Sequence, residues 1–503
     1  MPFRQSATAA INALVRRRIR RRARARYERR HAADGTGVLS SRTTALIVAS
    51  ALFMEQLDGT VLATALPEMA RSFGTEAVRL NVALTSYLLA LAVFIPASGK
   101  VADRFGSRTV FCAAIALFTV GSMLCGQADG LGTLVAARVL QGIGGAMMVP
   151  VGRLVLLRSV TKAEMVTAMT WLMIPAQLGP LLGPPVGGFL VTYLSWRWIF
   201  YINVPIGILG IALALRFIED VREPGRVSFD LPGLVMSGLS LACLVFGLEA
   251  VSRGGSSLAL AGGALAVGVV AGALYVRHAR RHPAPVLDLR LMRVQTFALS
   301  VIGGGLSRVA AGAIPFLLPL MLQLGFGMSA AASGLITFGG SVGSMLMRFV
   351  ARPVLHRWGF RTTMVWNGLI ASGFLGALAL MRPSWPPAAI LGLLVVGGFL
   401  QSLQFTAYNT IAYADIPRDR MSAATSFYTT FQQLNLTLGI CVAAGALAGS
   451  VLVTGHGEPQ VADYSAAFLV VAAVSLLASP TCTRLARNAG DELSGRAPVD
   501  RRG

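Results

Sequence analysis

The stretch SGKVADRFGSR (residues 98–108) returns later in the chain as ARPVLHRWGFR (residues 351–361), aligned without a gap. Arg104 matches Arg357, Gly106 matches Gly359 and Arg108 matches Arg361. Each copy is a short basic turn between two apolar runs of about 20 residues, long enough at about 1.5 Å per residue to cross a hydrocarbon core of roughly 30 Å. Outward from the two turns, fourteen such runs lie between residues 44 and 482, and the turn follows the second and the tenth. The chain therefore reads as two six-span halves, residues 43–218 and 291–483, with two linker spans and a cytoplasmic loop at 219–290. Residues 1–42 form an Arg-rich arm and 484–503 a tail. Backbone groups in lipid must be satisfied within a helix or a closed barrel, and runs this long without alternation exclude barrel strands. The expected fold is an all-α polytopic membrane protein with 14 transmembrane helices, two pseudo-symmetric six-helix halves plus two inserted linker helices.

A formal charge of +22 and a pI near 11.2 suggest a nucleic-acid binder at first sight. Composition argues otherwise: hydrophobic residues make up 54% and charged residues 13%, against about 25% charged in a soluble domain. The basic residues instead report topology. With both termini in the cytoplasm, 37 of the 44 Lys and Arg fall inside, and five fall outside: Arg71, Arg79, Arg197, Arg253 and Arg382. Such asymmetry marks the cytoplasmic side of a multi-pass protein of the cell inner (cytoplasmic) membrane. The run RRRIRRRARARYERR (residues 16–30) then reads as a solvated, disordered arm touching anionic headgroups, and no nucleic acid is expected as a partner. No secretory signal peptide is evident. The five cysteines sit singly in apolar stretches without a His cluster, so buried inert thiols are expected and no metal site.

Four further segments carry a family likeness: QLDGTVLATALP in the first span, RVLQGIGGAMMVP in the fourth, GPLLGPPVGGFL in the fifth and WRWIFYINVPIG leading into the sixth. With the loop GKVADRFGSR, they resemble the major facilitator superfamily, in its fourteen-span drug:proton antiporter branch. The resemblance covers about residues 46–477 and leaves out the amino-terminal arm. It implies proton-coupled antiport that exports drugs or other small amphipathic molecules by alternating access, with a proton gradient and no cofactor. The second copy of the loop has His356 where the first has Asp103, so the acidic position is not repeated.

Ionisable side chains inside spans require a partner or a task. Glu55 and Asp58 stand three residues apart on one face of the first span, and Arg138 and Arg308 are the cations within spans. The resemblance makes Asp58 the proton-linked acid and Arg138 its tuning partner; from the residues alone, a structural ion pair is the other reading. Glu55 departs from the commoner family pattern and stands either as a second coupling acid or as a cation-selecting group. Gly99, Asp103, Arg104, Gly106 and Arg108 suit a cytoplasmic gate loop. Gly179, Gly183 and Gly187 form a smooth stripe for close helix packing, and together with Pro180, Pro184 and Gly188 they resemble the antiporter motif, whose implied task is a hinge that limits leak. Arg308, Gln323, Gln404, Tyr408, Asn409 and Gln432 are candidates to line a substrate cavity, or else to form interhelical hydrogen bonds.

Other functions are weighed against the same residues. The only lysines are Lys100 and Lys162 and no phosphate-binding G-x-x-x-x-G-K-[ST] occurs, which disfavours ATP-driven transport by this chain. An enzyme is not expected, since H-E-x-x-H is absent. Export of an endogenous metabolite or metal chelate keeps the same machinery with another cargo, and a non-transporting membrane receptor is the alternative of another class.

Overall fold

Fourteen helical segments follow one another in the computed structural model, which describes residues 37–159, 165–218, 230–253, 257–417, 420–486 and 489–490; among these residues there is no strand. The first six segments are α1 (Gly37–Phe73), α2 (Asn81–Phe105), α3 (Ser107–Gly126), α4 (Leu131–Ser159), α5 (Met165–Tyr193) and α6 (Asn203–Phe217), the last entered through the single turn Trp198–Tyr201. The linker helices are α7 (Leu231–Arg253) and α8 (Ser257–Arg281). The remainder are α9 (Gln295–Leu320), α10 (Ala330–Leu378), α11 (Pro387–Ile411), α12 (Met421–Thr454) and α13 (Val461–Leu476), with α10 holding two spans. Twelve segments are long and apolar enough to cross a membrane; the other two, α5 and the part of α10 beyond Gly359, occupy the expected fifth and eleventh positions. Residues 1–36 of the basic arm, 219–229 of the linker and 491–503 of the tail lie outside the described residues.

The repeat seen in sequence is also a repeat of backbone. Gly106, between α2 and α3, has φ 96°, and its counterpart Gly359 inside α10 has φ 73°. A side chain at either position would be strained there, so each reversal between consecutive spans needs glycine. Proline shapes α9, where Pro315 and Pro319 precede a π-turn at Met321–Gly325. Missing backbone donors make such an adjustment inexpensive. The turn carries Gln323 to the other half, where its Nε2 donates to the Thr64 carbonyl at 3.0 Å.

Packing differs between the two ends of the bundle. At the distal end, away from the start of α1, one apolar core runs through both halves, uniting Leu66 and Met69 with Phe316, Leu320, Leu447 and Phe468. At the proximal end the cores separate. Val48 and Leu52 join Phe111 and Val151 in one half, while Phe297 joins Phe427, Tyr428 and Tyr275 of α8 in the other. The halves are thus closed on each other distally and have independent cores proximally.

Small residues set the distal closure. Gly188 of α5 and Gly334 of α10 bring backbones together so closely that an added Cβ would collide with the Ala330 and Pro184 carbonyls respectively. Ser341 Oγ donates to the Pro180 carbonyl at 2.8 Å, and the Ala331 amide donates to Thr192 Oγ1 at 3.0 Å. Replacing Gly188 by Val overpacks this contact by about 1–3 kcal/mol. Spin labels at Thr75 and Ser384 are expected to move apart in Gly188→Val but not in Gly392→Val, where an added Cβ meets nothing within 4 Å. An unchanged distance distribution in Gly188→Val rejects this account of the closure.

Candidate functional site

Five helices of the first half converge on one carboxylate. Asp58 of α1 is 3% exposed, and Arg138 of α4, with no exposed surface, donates from Nη1 to Asp58 Oδ2 at 2.6 Å. Gln141 stands one turn beyond Arg138, so it shares its face. Its Nε2 donates to Asp58 Oδ1 at 2.8 Å, and its Oε1 accepts from Arg138 Nη1 at 2.6 Å. Asn203 of α6 adds a donor to Asp58 Oδ1 at 3.3 Å and another to Ser122 Oγ of α3 at 3.1 Å. Arg138 Nε donates to the Ala83 carbonyl of α2 at 3.1 Å, and its guanidinium lies 4.2 Å from the Tyr87 ring centroid.

A buried charge pair is tolerated when its geometry is close and its remaining lone pairs and protons are occupied. Here the carboxylate is well served, and the spare groups lie around it. Arg138 Nη2, Asn203 Oδ1, the Tyr87 hydroxyl and Glu55 Oε2 have no hydrogen-bond partner among the described residues. Glu55 is 8% exposed and stays outside the Asp58 hydrogen bonds. Chemically, the site can hold one negative charge tightly or release it: protonating Asp58 removes the charge that neutralises Arg138.

The motif glycines divide their work. Gly179, Gly183 and Gly187 face α1, against Leu57, Thr60 and Val61 respectively, whereas Gly188 faces the other half. Pro180 and Pro184 line a cavity of about 450 Å³ between the halves, with Thr60, Ser341, Gln401 and Phe405, and Arg348 is its one charged lining residue. In the loop, Arg108 donates to the Ile218 carbonyl at the end of α6 at 3.2 Å, and the Arg104 guanidinium lies 5.4 Å from the Phe105 ring centroid. Asp103 is half-buried on the last turn of α2, and Gly99 stands one turn before it in open space.

None of the six residues expected at a substrate cavity lines this one. Gln404 and Tyr408 are buried in the second half: Gln404 Nε2 donates to the Met364 carbonyl at 3.0 Å, and the Tyr408 hydroxyl meets Cys482 Sγ at 3.0 Å. Gln323 ties the halves together. Arg308, Asn409 and Gln432 do come together, for Arg308 Nη2 and Gln432 Nε2 both donate to Asn409 Oδ1 at 2.8 Å. The Arg308 guanidinium also lies 4.9 Å and 5.2 Å from the Phe405 and Tyr428 ring centroids. Sequence reading missed Gln141, Asn203 and Tyr87. The first two stand inside RVLQGIGGAMMVP and WRWIFYINVPIG, as isolated amides in apolar runs, which is the signal that could have found them.

Two repeated halves closed at one end, a buried charge pair in one half and a cavity between them define a membrane transporter, not an enzyme. The chain belongs to the major facilitator superfamily, whose family model ("Major Facilitator Superfamily") matches residues 48–440. It is similar to the "Putative multidrug resistance protein MdtD" of Serratia proteamaculans (strain 568), with 40% identity over 411 residues, covering 80% of this chain and 84% of that protein. The protein of the same name in Salmonella heidelberg (strain SL476) is 39% identical over 410 residues, covering 80% of this chain and 85% of its own. Among solved structures, an auto-inhibited POT family peptide transporter matches with TM-score 0.65 at 16% identity over 92% of this chain and 99% of its own. The nucleoside transporter NupG matches with TM-score 0.61 at 15% identity over 88% and 98%. At these identities the structures share the fold.

Leaving either partner of the buried pair alone costs about 3–5 kcal/mol. Asp58→Asn and Arg138→Gln are each expected to lower the unfolding temperature in detergent, and the double variant to recover part of the loss. Strict additivity of the two losses would show that the residues do not act as a pair.

Proposed function

We propose that the chain is a proton-coupled antiporter that exports amphipathic small molecules, drugs among them, across the cytoplasmic membrane by alternating access. The observation that carries this reading is the Asp58–Arg138 pair, a carboxylate and a guanidinium joined at 2.6 Å with almost no exposed surface. A proton arriving at Asp58 cancels the charge that holds Arg138, loosening the contacts among α1, α4 and α6; departure of the proton restores them. Glu55, one turn away, supplies a second acid on the proton's route. The arginine asymmetry puts the proximal end in the cytoplasm, together with both termini. In that orientation the separate proximal cores correspond to an inward-facing state, and the Gly106 and Gly359 turns belong to the cytoplasmic gate. Residues 43–218 and 291–483 then act as the two rocking halves, joined through 219–290. The name of the MdtD relatives, multidrug resistance protein, favours drugs as cargo.

A second cargo reading has its own observation. Arg308 is 5% exposed, and its hydrogen bonds go to the Gly304 carbonyl, the Tyr428 hydroxyl and Asn409, all uncharged. A buried cation that meets no carboxylate among the described residues favours an anionic metabolite or metal chelate over a cationic drug.

Reconstitution into vesicles with an imposed pH gradient tests the coupling. For a cargo that is demonstrably moved, acid on the distal side is expected to accelerate export from the proximal side. Asp58→Asn is expected to abolish the response to the gradient while cargo exchange without a gradient persists. Equal gradient responses in wild type and Asp58→Asn sink the assignment. The cargo is tested separately: Arg308→Gln is expected to weaken competition by anionic compounds and spare that by cationic ones, and the opposite pattern removes the second reading.

A further inference from the structure

The linker helix α8 ends in the segment YVRHARRH (residues 275–282), which stands apart from the proton site and from the cavity between the halves. Arg277, His278, Arg281 and His282, with Met236 of α7 and Pro283, line an open cavity of about 380 Å³ at the proximal end of the linker pair. Neither the Arg277 nor the Arg281 side chain has an ion-pair or hydrogen-bond partner among the described residues. The nearby carboxylate is already engaged. Asp230 Oδ1 pairs with His278 Nε2 at 2.7 Å and accepts from the Gly233 amide at 2.9 Å, while Oδ2 accepts from the Val286 amide at 3.2 Å. Burial acts to raise the Asp230 pKa, but these hydrogen bonds outweigh it and hold the carboxyl below its usual range.

Asp230, His278 and His282 bring metal-ligating atoms within 4.8 Å of one another. Two guanidiniums on the same cavity and the full occupation of Asp230 turn the preference toward an anion. Both guanidiniums stand at the carboxyl end of α8, the end of a helix that favours cations. Beneath them, Val267, Val270, Leu274, Arg277 and Arg281 recur at intervals of three and four residues, so they share one face of α8. The apolar part of that face is open: Val267, Val270 and Leu274 are 49%, 58% and 51% exposed. In the apolar stretch of α8, 22% of the residues are buried, against 67% in that of α1, which leaves one side of α8 open for lipid.

We propose that this face of α8 binds one anionic phospholipid, with the phosphate between Arg277 and Arg281 and the acyl chains along Leu274, Val270 and Val267. The apolar ladder leads directly to Arg277 and Arg281, the order in which a phospholipid passes from chain to headgroup, and basic side chains beside transmembrane helices suit such a headgroup. A free phosphate ion would use the arginines and ignore the ladder. Asp230 orients His278 at the cavity wall. The lipid would lie against the joint to α9, where the Tyr275 hydroxyl donates to the Leu287 carbonyl at 2.9 Å and accepts from the Leu287 amide at 2.7 Å.

Native mass spectrometry of the full-length chain, titrated with phosphatidylglycerol and with phosphatidylcholine of identical chains, tests the proposal. Arg277→Gln and Arg281→Gln are each expected to weaken phosphatidylglycerol binding about fivefold, the effect of one surface arginine, with phosphatidylcholine unchanged. Arg280→Gln removes the same charge from an exposed position outside the cavity and is expected to leave binding as it was. Equal losses in Arg280→Gln and Arg277→Gln would reduce the effect to diffuse surface charge and overturn the site. Displacement of the lipid by millimolar inorganic phosphate would overturn the lipid in favour of a free anion. If Arg277→Gln unfolds earlier than wild type, Arg277→Lys, which keeps the charge, is expected to restore binding, and its failure to do so counts against the proposal.

Discussion

The guanidinium of Arg138 has no exposed surface, and its charge is answered by a single carboxylate. A lone cation at that depth would be expelled or would draw water in, so helices α1 and α4 are obliged to meet where Asp58 and Arg138 stand. The obligation spreads. Asp58 Oδ1, which Arg138 leaves to other partners, takes donors from Gln141 and Asn203, and Asn203 in turn reaches Ser122, whose hydroxyl donates to the Phe200 carbonyl at 2.9 Å. One ion pair thereby orders α1, α2, α3, α4 and α6, and a change in its protonation acts on all of them together.

Helix α5 is not part of that polar set. It is held to α1 by glycine contacts at Gly179, Gly183 and Gly187, and it touches the second half through Pro180, Pro184 and Gly188. Van der Waals contact between smooth surfaces has no preferred charge state, so the contact of α5 with α1 does not depend on the charge of the pair. The halves differ in the same sense. Gly106 and Gly359 give them the same turn, yet the second half has His356 in place of Asp103 and a cation, Arg308, held by uncharged groups and aromatic rings in place of a carboxylate. The backbone is duplicated and the chemistry is not, which suits a division between proton handling in one half and cargo recognition in the other.

What could be read in advance follows from how each feature is encoded. Span length and the glycine turn are local, so apolar runs and the aligned Gly106 and Gly359 disclosed the helices and the repeat. Asp58 and Arg138 were legible because a charge inside an apolar run has few permissible explanations. Gln141 and Asn203 carry no charge, and an amide in a span can bond along or between helices at modest cost, so their convergence on Asp58 depends on packing that periodicity does not record. Gln404 and Tyr408 could line a cavity or bond between helices, and sequence does not choose; packing buries them against Met364 and Cys482. The cavity instead draws on Thr60, Pro184 and Ser341, residues ordinary enough to pass unnoticed.

The distal closure is made of contacts suited to being broken. Gln323 to Thr64, Ser341 to Pro180 and Ala331 to Thr192 are hydrogen bonds in which at least one partner is a backbone group, and none carries a charge. Such bonds contribute about 0.5–1.5 kcal/mol each, and water replaces them readily. An ionic lock at the same place would require desolvated charges to separate at every cycle. In the proposed antiport, concentrating the charge pair within one half, and leaving uncharged contacts between the halves, lets a single protonation bias a balance of a few kcal/mol. The larger distal core supplies the remaining attraction between the halves, and the proximal cores are packed separately from each other.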